Sequence, residues 1–154
     1  MNRYKVRSEY RRQQRRMQQV AESGTPVFGV TGRGLYRHEV TPGWVDDEAE
    51  DPKIAHLSVG YGSTAAGSVE LDTHYASTDQ PHTQRALEGK RIENGRPRDI
   101  KIDVKGEEVL FVGLADGTHW VGAGEKDGLT LILDTRRVDP TAIKIVEIDL
   151  REPA

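Results

Sequence analysis

The chain reads as an α+β protein, mainly antiparallel β. The expected architecture is a meander sheet or a partly open barrel or sandwich of about eight to nine short strands, preceded by a basic N-terminal helix. Three observations predict this. Between Asp99 and Leu150 the apolar residues fall into five short runs separated by Gly- or Pro-containing turns. Sixteen glycines and seven prolines in 154 residues leave little room for long helices. Residues 3–22, by contrast, contain neither Gly nor Pro and are rich in Arg, Gln and Glu, which are good helix formers. The domain organisation that follows is a basic helical arm over residues 1–24 and a single β-rich domain over 25–154, closed by the meander 99–150.

The arm is expected to stop near Ser23-Gly24, with Pro26 just beyond. Val6, Tyr10, Gln13, Met17 and Val20 recur at steps of four and three and make a narrow stripe that can rest on another surface. Arg3, Arg7, Arg11 and Arg15 fall at steps of four and form a basic ridge, with Lys5, Arg12 and Arg16 alongside. Like charges at that spacing are mildly destabilising in an isolated helix, so the ridge gains from an anionic surface laid against it.

Two short strands come next, Val27–Val30 and Leu35–Val40, read as joined by the Gly-containing turn Thr31-Gly32-Arg33-Gly34. Pro42-Gly43-Trp44 leads to the acidic run 46–51, expected as a solvated loop. Ile54–Tyr61 and Ser68–Tyr75 are strands around the loop Gly62–Gly67; the second alternates Val69, Leu71, Thr73 and Tyr75 with polar residues. A short helix is expected from Gln80 or Pro81 to Glu88, and Asn94-Gly95 marks a turn. In the closing block, Ile100, Ile102 and Val104 alternate with Lys101, Asp103 and Lys105. The run Val109–Leu114 reads as a central strand buried on both faces. Lys105-Gly106, Asp116-Gly117 and Asp127-Gly128 are the turns between successive strands. Asp139-Pro140-Thr141-Ala142 reads as a single helical turn, and Ile143–Leu150 as the last strand. The meander resembles those of bacterial β-rich proteins in general, a likeness that implies no activity.

Composition narrows the chemistry. The chain has no cysteine, which removes disulfides, thiolate metal sites and cysteine nucleophiles. Its longest apolar run, Val109–Ala115, is far too short to span a bilayer, and no apolar stretch follows the basic N-terminus as a signal peptide requires. A cytoplasmic protein is the expectation. Net charge is −3, but residues 1–22 carry seven Lys/Arg against Glu9 and Glu22, a net of +5 that leaves −8 for the other 132 residues. That asymmetry points to binding.

The chemical motifs are weaker. Gly60–Gly67 is glycine-rich, but it lacks a Gly-Lys-Ser/Thr ending and leads into a strand, so no phosphate cradle is expected. His38, His56 and His74 are spaced by eighteen residues, each in a candidate strand; single strand histidines are usually surface or core residues, and no metal or other cofactor is assigned. There is no Gly-x-Ser-x-Gly elbow. His119 and Trp120, beside Asp116, form the most enzyme-like cluster, although a turn Asp and a sheet aromatic explain it equally.

These readings favour a non-enzymatic binding or regulatory protein. Its helix, through Arg3, Arg7, Arg11, Arg12, Arg15 and Arg16, engages an acidic protein surface or nucleic acid, with a protein partner preferred and membrane attachment not expected. Lys90, Arg91, Arg96 and Arg98 would extend the basic surface. One alternative is a small-ligand-binding β-barrel or small enzyme with a polar pocket drawn from His56, His74, His119 and Trp120. Another is a structural subunit that uses the helix to form a homo-oligomer.

Overall fold

The structure, a computed structural model, describes residues 3–46, 48–50, 53–75, 92 and 94–150. A helix α1 (Arg3–Glu22) is followed by β1 (Phe28–Thr31), β2 (Leu35–Val45), β3 (Lys53–Ser63), β4 (Ser68–His74), the two-residue β5 (Arg96–Pro97), β6 (Ile100–Val104), β7 (Glu107–Asp116), β8 (His119–Lys126), β9 (Leu129–Arg136), a 3₁₀ turn (Pro140–Ala142) and β10 (Lys144–Glu147). The fold is mostly antiparallel β, a nearly closed mixed sheet of nine strands in the order β1-β10-β6-β7-β8-β9-β4-β3-β2. β5 pairs with β7 off this path. One seam, between β1 and β2, is not sealed by a ladder.

Local chemistry sets the hairpins. β6–β7 and β8–β9 turn on Lys105-Gly106 and Asp127-Gly128, both residues of each pair at positive φ, which suits the right-handed twist of the flanking strands. β7–β8 turns on Gly117-Thr118 with Gly117 at φ +57°. The 3₁₀ turn starts on Asp139, whose carboxylate accepts from the Thr141 amide and hydroxyl; these bonds hold the Asp139 carboxyl below its usual range. α1 ends at Glu22; the Ser23 amide just beyond it donates to Gln19 O, and Gly24 follows at φ +78°.

Alternation fills the interior. Leu57, Val59 and Tyr61 of β3, Val69 and Leu71 of β4, Ile102 and Val104 of β6, Phe111 of β7, Trp120 of β8 and Leu131 and Leu133 of β9 are all buried in one core. Trp120 is its largest fully buried side chain. The indole fits because positions 113 and 122 are glycine: a Cβ at either would come within 2.5 Å of the ring. The indole N–H donates to Arg98 O at 2.9 Å. A second small apolar cluster, Val121, Ala123 and Ile132 with Ile92 packed against it, lies on the outer face.

Four sequence expectations are corrected. β1 and β2 do not form a hairpin: β1 pairs with β10 and β2 with β3, at opposite ends of the sheet. Pro42-Gly43-Trp44 lies within β2, because at this edge a missing N–H costs no ladder bond. β7 is buried on one face only, with Leu110 and Val112 exposed at 52% and 40%. β10 does not follow β9 in the sheet; it crosses over to pair in parallel with β6. The expected helix near residues 80–88 lies outside the described residues, as do Lys90 and Arg91.

Two tyrosines on the inner face test the energetics. The Tyr61 hydroxyl accepts the Val30 amide of β1 at 3.0 Å, a buried bond spanning the seam from β3. The Tyr75 hydroxyl, just beyond β4, is buried with no hydrogen-bond partner, and burial pushes it up to about 12, with the nearby Thr73 hydroxyl drawing it back. Tyr61→Phe should destabilise the fold by about 1–3 kcal/mol, since it orphans a buried N–H, whereas Tyr75→Phe should be neutral or stabilising. A raised phenol contributes stability that is complete below pH 10 and lost as pH rises towards 12. Urea unfolding of both variants across pH 8–12 checks both points, and the alkaline loss should be reduced in Tyr75→Phe.

Candidate functional site

The outer face of β2, β3, β4 and β9 carries a groove of about 400 Å³. Alternation places its residues. β3 turns Leu57, Val59 and Tyr61 inward, so Ser58 and Gly60 face out; β4 likewise turns out Ser68 and Glu70, and β9 turns out Asp134 and Arg136. Register then aligns them: Glu39, Gly60, Glu70 and Asp134 are successive partners across the four strands, and Ser68 pairs with Arg136 one rung away. β2 contributes through a bulge. Arg37 pairs with Tyr61 and Glu39 with Gly60, so His38 is the extra residue, and its ring comes within 3.4 Å of where a Cβ at Gly60 would lie. Gly60 is therefore the floor, and His38, Glu39 and Thr41 form one wall.

Asp134 is the centre of the opposite wall. It is 15% exposed, its Oδ1 lies 2.9 Å from His119 Nε2 of β8, and Arg136 Nε approaches the same oxygen at 3.9 Å. A carboxylate only accepts, so the His119 proton sits on Nε2 and the imidazole fixes the orientation of Asp134. Among the described residues no hydroxyl is hydrogen-bonded to His119, so the couple does not extend to a third catalytic member. Thr41 Oγ1 donates to Glu39, and Ser58 Oγ donates to Asp72 beside the groove. Three carboxylates and one guanidinium thus line a surface on which hydroxyl, imidazole and carboxylate groups all converge.

Of the histidines proposed as one pocket, the structure brings His56 and His74 together and separates His119 from them; His38, spaced in sequence with the first two, is also apart. His56 and His74 are direct cross-strand partners with ring centroids 5.7 Å apart. His38 lies at the level of Gly60, four residues along β3 from His56, about 13 Å at the strand rise. His119 pairs with Arg136 and His74 with Thr130, which puts six residues of β9, about 20 Å, between them. Trp120 faces the opposite way, into the core. Among the described residues no group of three His, Asp or Glu is placed to hold a metal ion.

The arginine ridge is divided as well. Gln13, Arg16, Met17 and Val20 face the barrel: Trp44 Nε1–H donates to Gln13 Oε1 at 3.3 Å, and the Arg16 guanidinium lies 5.4 Å from the Trp44 ring centroid. Val20 is in the core cluster, and Met17, Val40 and Trp44 pack against it. Arg16 is only 6% exposed and so leaves the ridge. Arg12 pairs with Glu9 at 3.8 Å, whereas Arg11, Arg15 and Tyr10 are exposed. Arg3 and Arg7 continue the same helix at its N-terminal end.

Sequence reasoning missed Glu39, Asp134 and Arg136, which with Glu70 give the groove its charge. One signal pointed there: glycines at 60 and 62 alternating with Val59 and Tyr61 in a strand, where a missing side chain usually marks a close approach. The chain matches no protein-family model, and comparison with curated proteins and with solved structures returns no match.

The His119–Asp134 bond has a direct readout. In long-range ¹H–¹⁵N spectra recorded where the ring is neutral, His119 should be the Nε2–H tautomer, and Asp134→Ala should convert it to a mixture of both.

Proposed function

We propose that the chain is a non-enzymatic binding protein whose ligand is a polar small molecule held in the outer groove. The observation that carries this is the convergence of His38, Glu39, Glu70, Asp134 and Arg136 from three strands around the Gly60 floor on a fourth. A volume of about 400 Å³ lies within the range of small-ligand sites. The lining supplies acceptors at Glu39, Glu70 and Asp134 and donors at Arg136 and Ser68. Its fixed charges sum to negative, so a neutral or cationic ligand rich in hydroxyl groups suits it better than an anion. His119 adds preorganisation, because Asp134 is already oriented before a ligand arrives.

The test is a calorimetric and ¹⁵N-shift titration with neutral polyols, amines and carboxylates. Neutral or cationic hydroxylated compounds should move the amides of Gly60, Glu70 and Asp134. Gly60→Leu, which fills the floor, should abolish binding, and Glu70→Gln should weaken it about tenfold or more, the loss of one charge-assisted hydrogen bond. If no compound moves these amides, the reading fails.

A second reading rests on α1. Its outward face exposes Arg11 and Arg15, while Met17 and Val20 hold the inner face to the barrel. That face is proposed to engage an acidic protein surface. Removing α1 would also take Val20 out of the core, so charge reversal is the cleaner test. Arg11→Glu with Arg15→Glu should abolish capture of the partner while leaving the urea midpoint unchanged. A roughly 10³-fold loss of affinity between 50 and 200 mM salt would instead indicate nucleic acid.

A further inference from the structure

We propose that the groove's ligand is a saccharide, with one pyranose ring stacked on Tyr36. This rests on the groove reading above and names the class of ligand. Tyr36 is on β2 directly opposite Gly62 and is 55% exposed, one of the few large apolar side chains so open among the described residues. Its ring lies on the backbone of β3: a Cβ at Gly62 would fall 2.5 Å from both Cζ and Oη and 2.8 Å from Cε2. Glycine at 62 thus seats the phenol against the sheet and leaves its other face open to solvent.

The seat is at the end of the groove. Gly62 pairs with Ser68, and Ser68 with Arg136, so the ring shares a rung with two groove residues. Its centroid is 6.4 Å from that of His38, which stands over the floor. An aromatic face is electron-rich, and the face of a pyranose presents C–H groups of slight positive charge, so the two attract when stacked. The sugar's rim is a ring of hydroxyls that both donate and accept, matching carboxylates at Glu70 and Asp134 and a guanidinium at Arg136. A nucleotide would also stack, but its phosphates would meet Glu39 and Glu70. A simple polyamine would satisfy the carboxylates but bring like charge against the Arg136 guanidinium. A saccharide uses both halves of the surface.

The experiment titrates the intact chain, by calorimetry and ¹⁵N shifts, with cellotriose, maltotriose, mannotriose and chitotriose, and in parallel with spermidine. At least one trisaccharide should move the amides of Gly62, Ser68, Glu70 and Arg136. Tyr36→Ala should weaken that binding about tenfold, and Tyr36→Phe should keep it within about threefold, since the face and not the hydroxyl is used. Gly62→Val keeps the tyrosine but unseats the ring, and should reproduce the loss. Tyr36 is exposed, so its Ala variant is expected to fold and suffices alone if Gly62→Val does not. Saccharide binding unchanged by Tyr36→Ala overturns the inference. Spermidine moving the groove amides when no saccharide does overturns it while leaving the groove reading intact. No ligand moving them overturns both.

Discussion

The structure depends on the way its sheet ends. β1 and β2 are the terminal strands of the order, and no ladder joins them. A sheet edge facing a buried interior leaves backbone groups without partners, which costs roughly as much as losing a hydrogen bond for each. The chain meets this cost with side chains. Tyr61 reaches from β3 to accept the Val30 amide of β1. α1 covers the inner side of β2, with Val20 in the core and Trp44 held by both Gln13 and Arg16. β2 itself carries Pro42 and two register irregularities, features that keep an edge from pairing with another chain. The helix is therefore part of how the barrel is finished, and this constrains what it can offer a partner.

That constraint explains where sequence reasoning about the helix succeeded and where it did not. The bounds of α1 follow from local chemistry: no Gly or Pro inside, and Gly24 at the end. The inner stripe through Gln13, Met17 and Val20 follows from helical spacing. Arg16 does not. It shares a face with Gln13 and Val20, so its position already placed it inward, but its charge suggested solvent. The ring of Trp44, beyond a strand expected to end at Val40, gives the guanidinium a face to lie against.

The strands show the same division between local and non-local information. Turn residues and period-two alternation are local, and they located β3, β4, β6, β8 and β9 within a few residues. Partners are not local. β10 lies beside β6 because the parallel pairing continues the inner row Ile143, Ile145 and Val104, which nothing near residue 145 in the chain records. β7 carries Leu110 and Val112 outward, where composition alone suggested burial on both faces. The groove is less legible still. Glu39, Glu70 and Asp134 come from strands nearly a hundred residues apart and meet only through three successive registers and the bulge at His38.

β3 shows how one strand serves both purposes without conflict. Its inward residues Leu57, Val59 and Tyr61 fill the core and bridge the seam, and they are fully or nearly fully buried. Its outward residues Ser58, Gly60 and Gly62 do the opposite: they remove bulk, so that groups from β2, β4 and β9 can meet above them. A side chain at Gly62 would collide with Tyr36, and a long one at Gly60 would fill the groove, yet neither position touches the core. The two glycines weaken the strand locally, because glycine has no side chain to pack and loses more freedom on ordering. β3 tolerates this because its inner face is complete and both neighbours pair along most of its length. A loss of local stability placed where the scaffold can absorb it, on the face the core does not use, is what a binding surface requires.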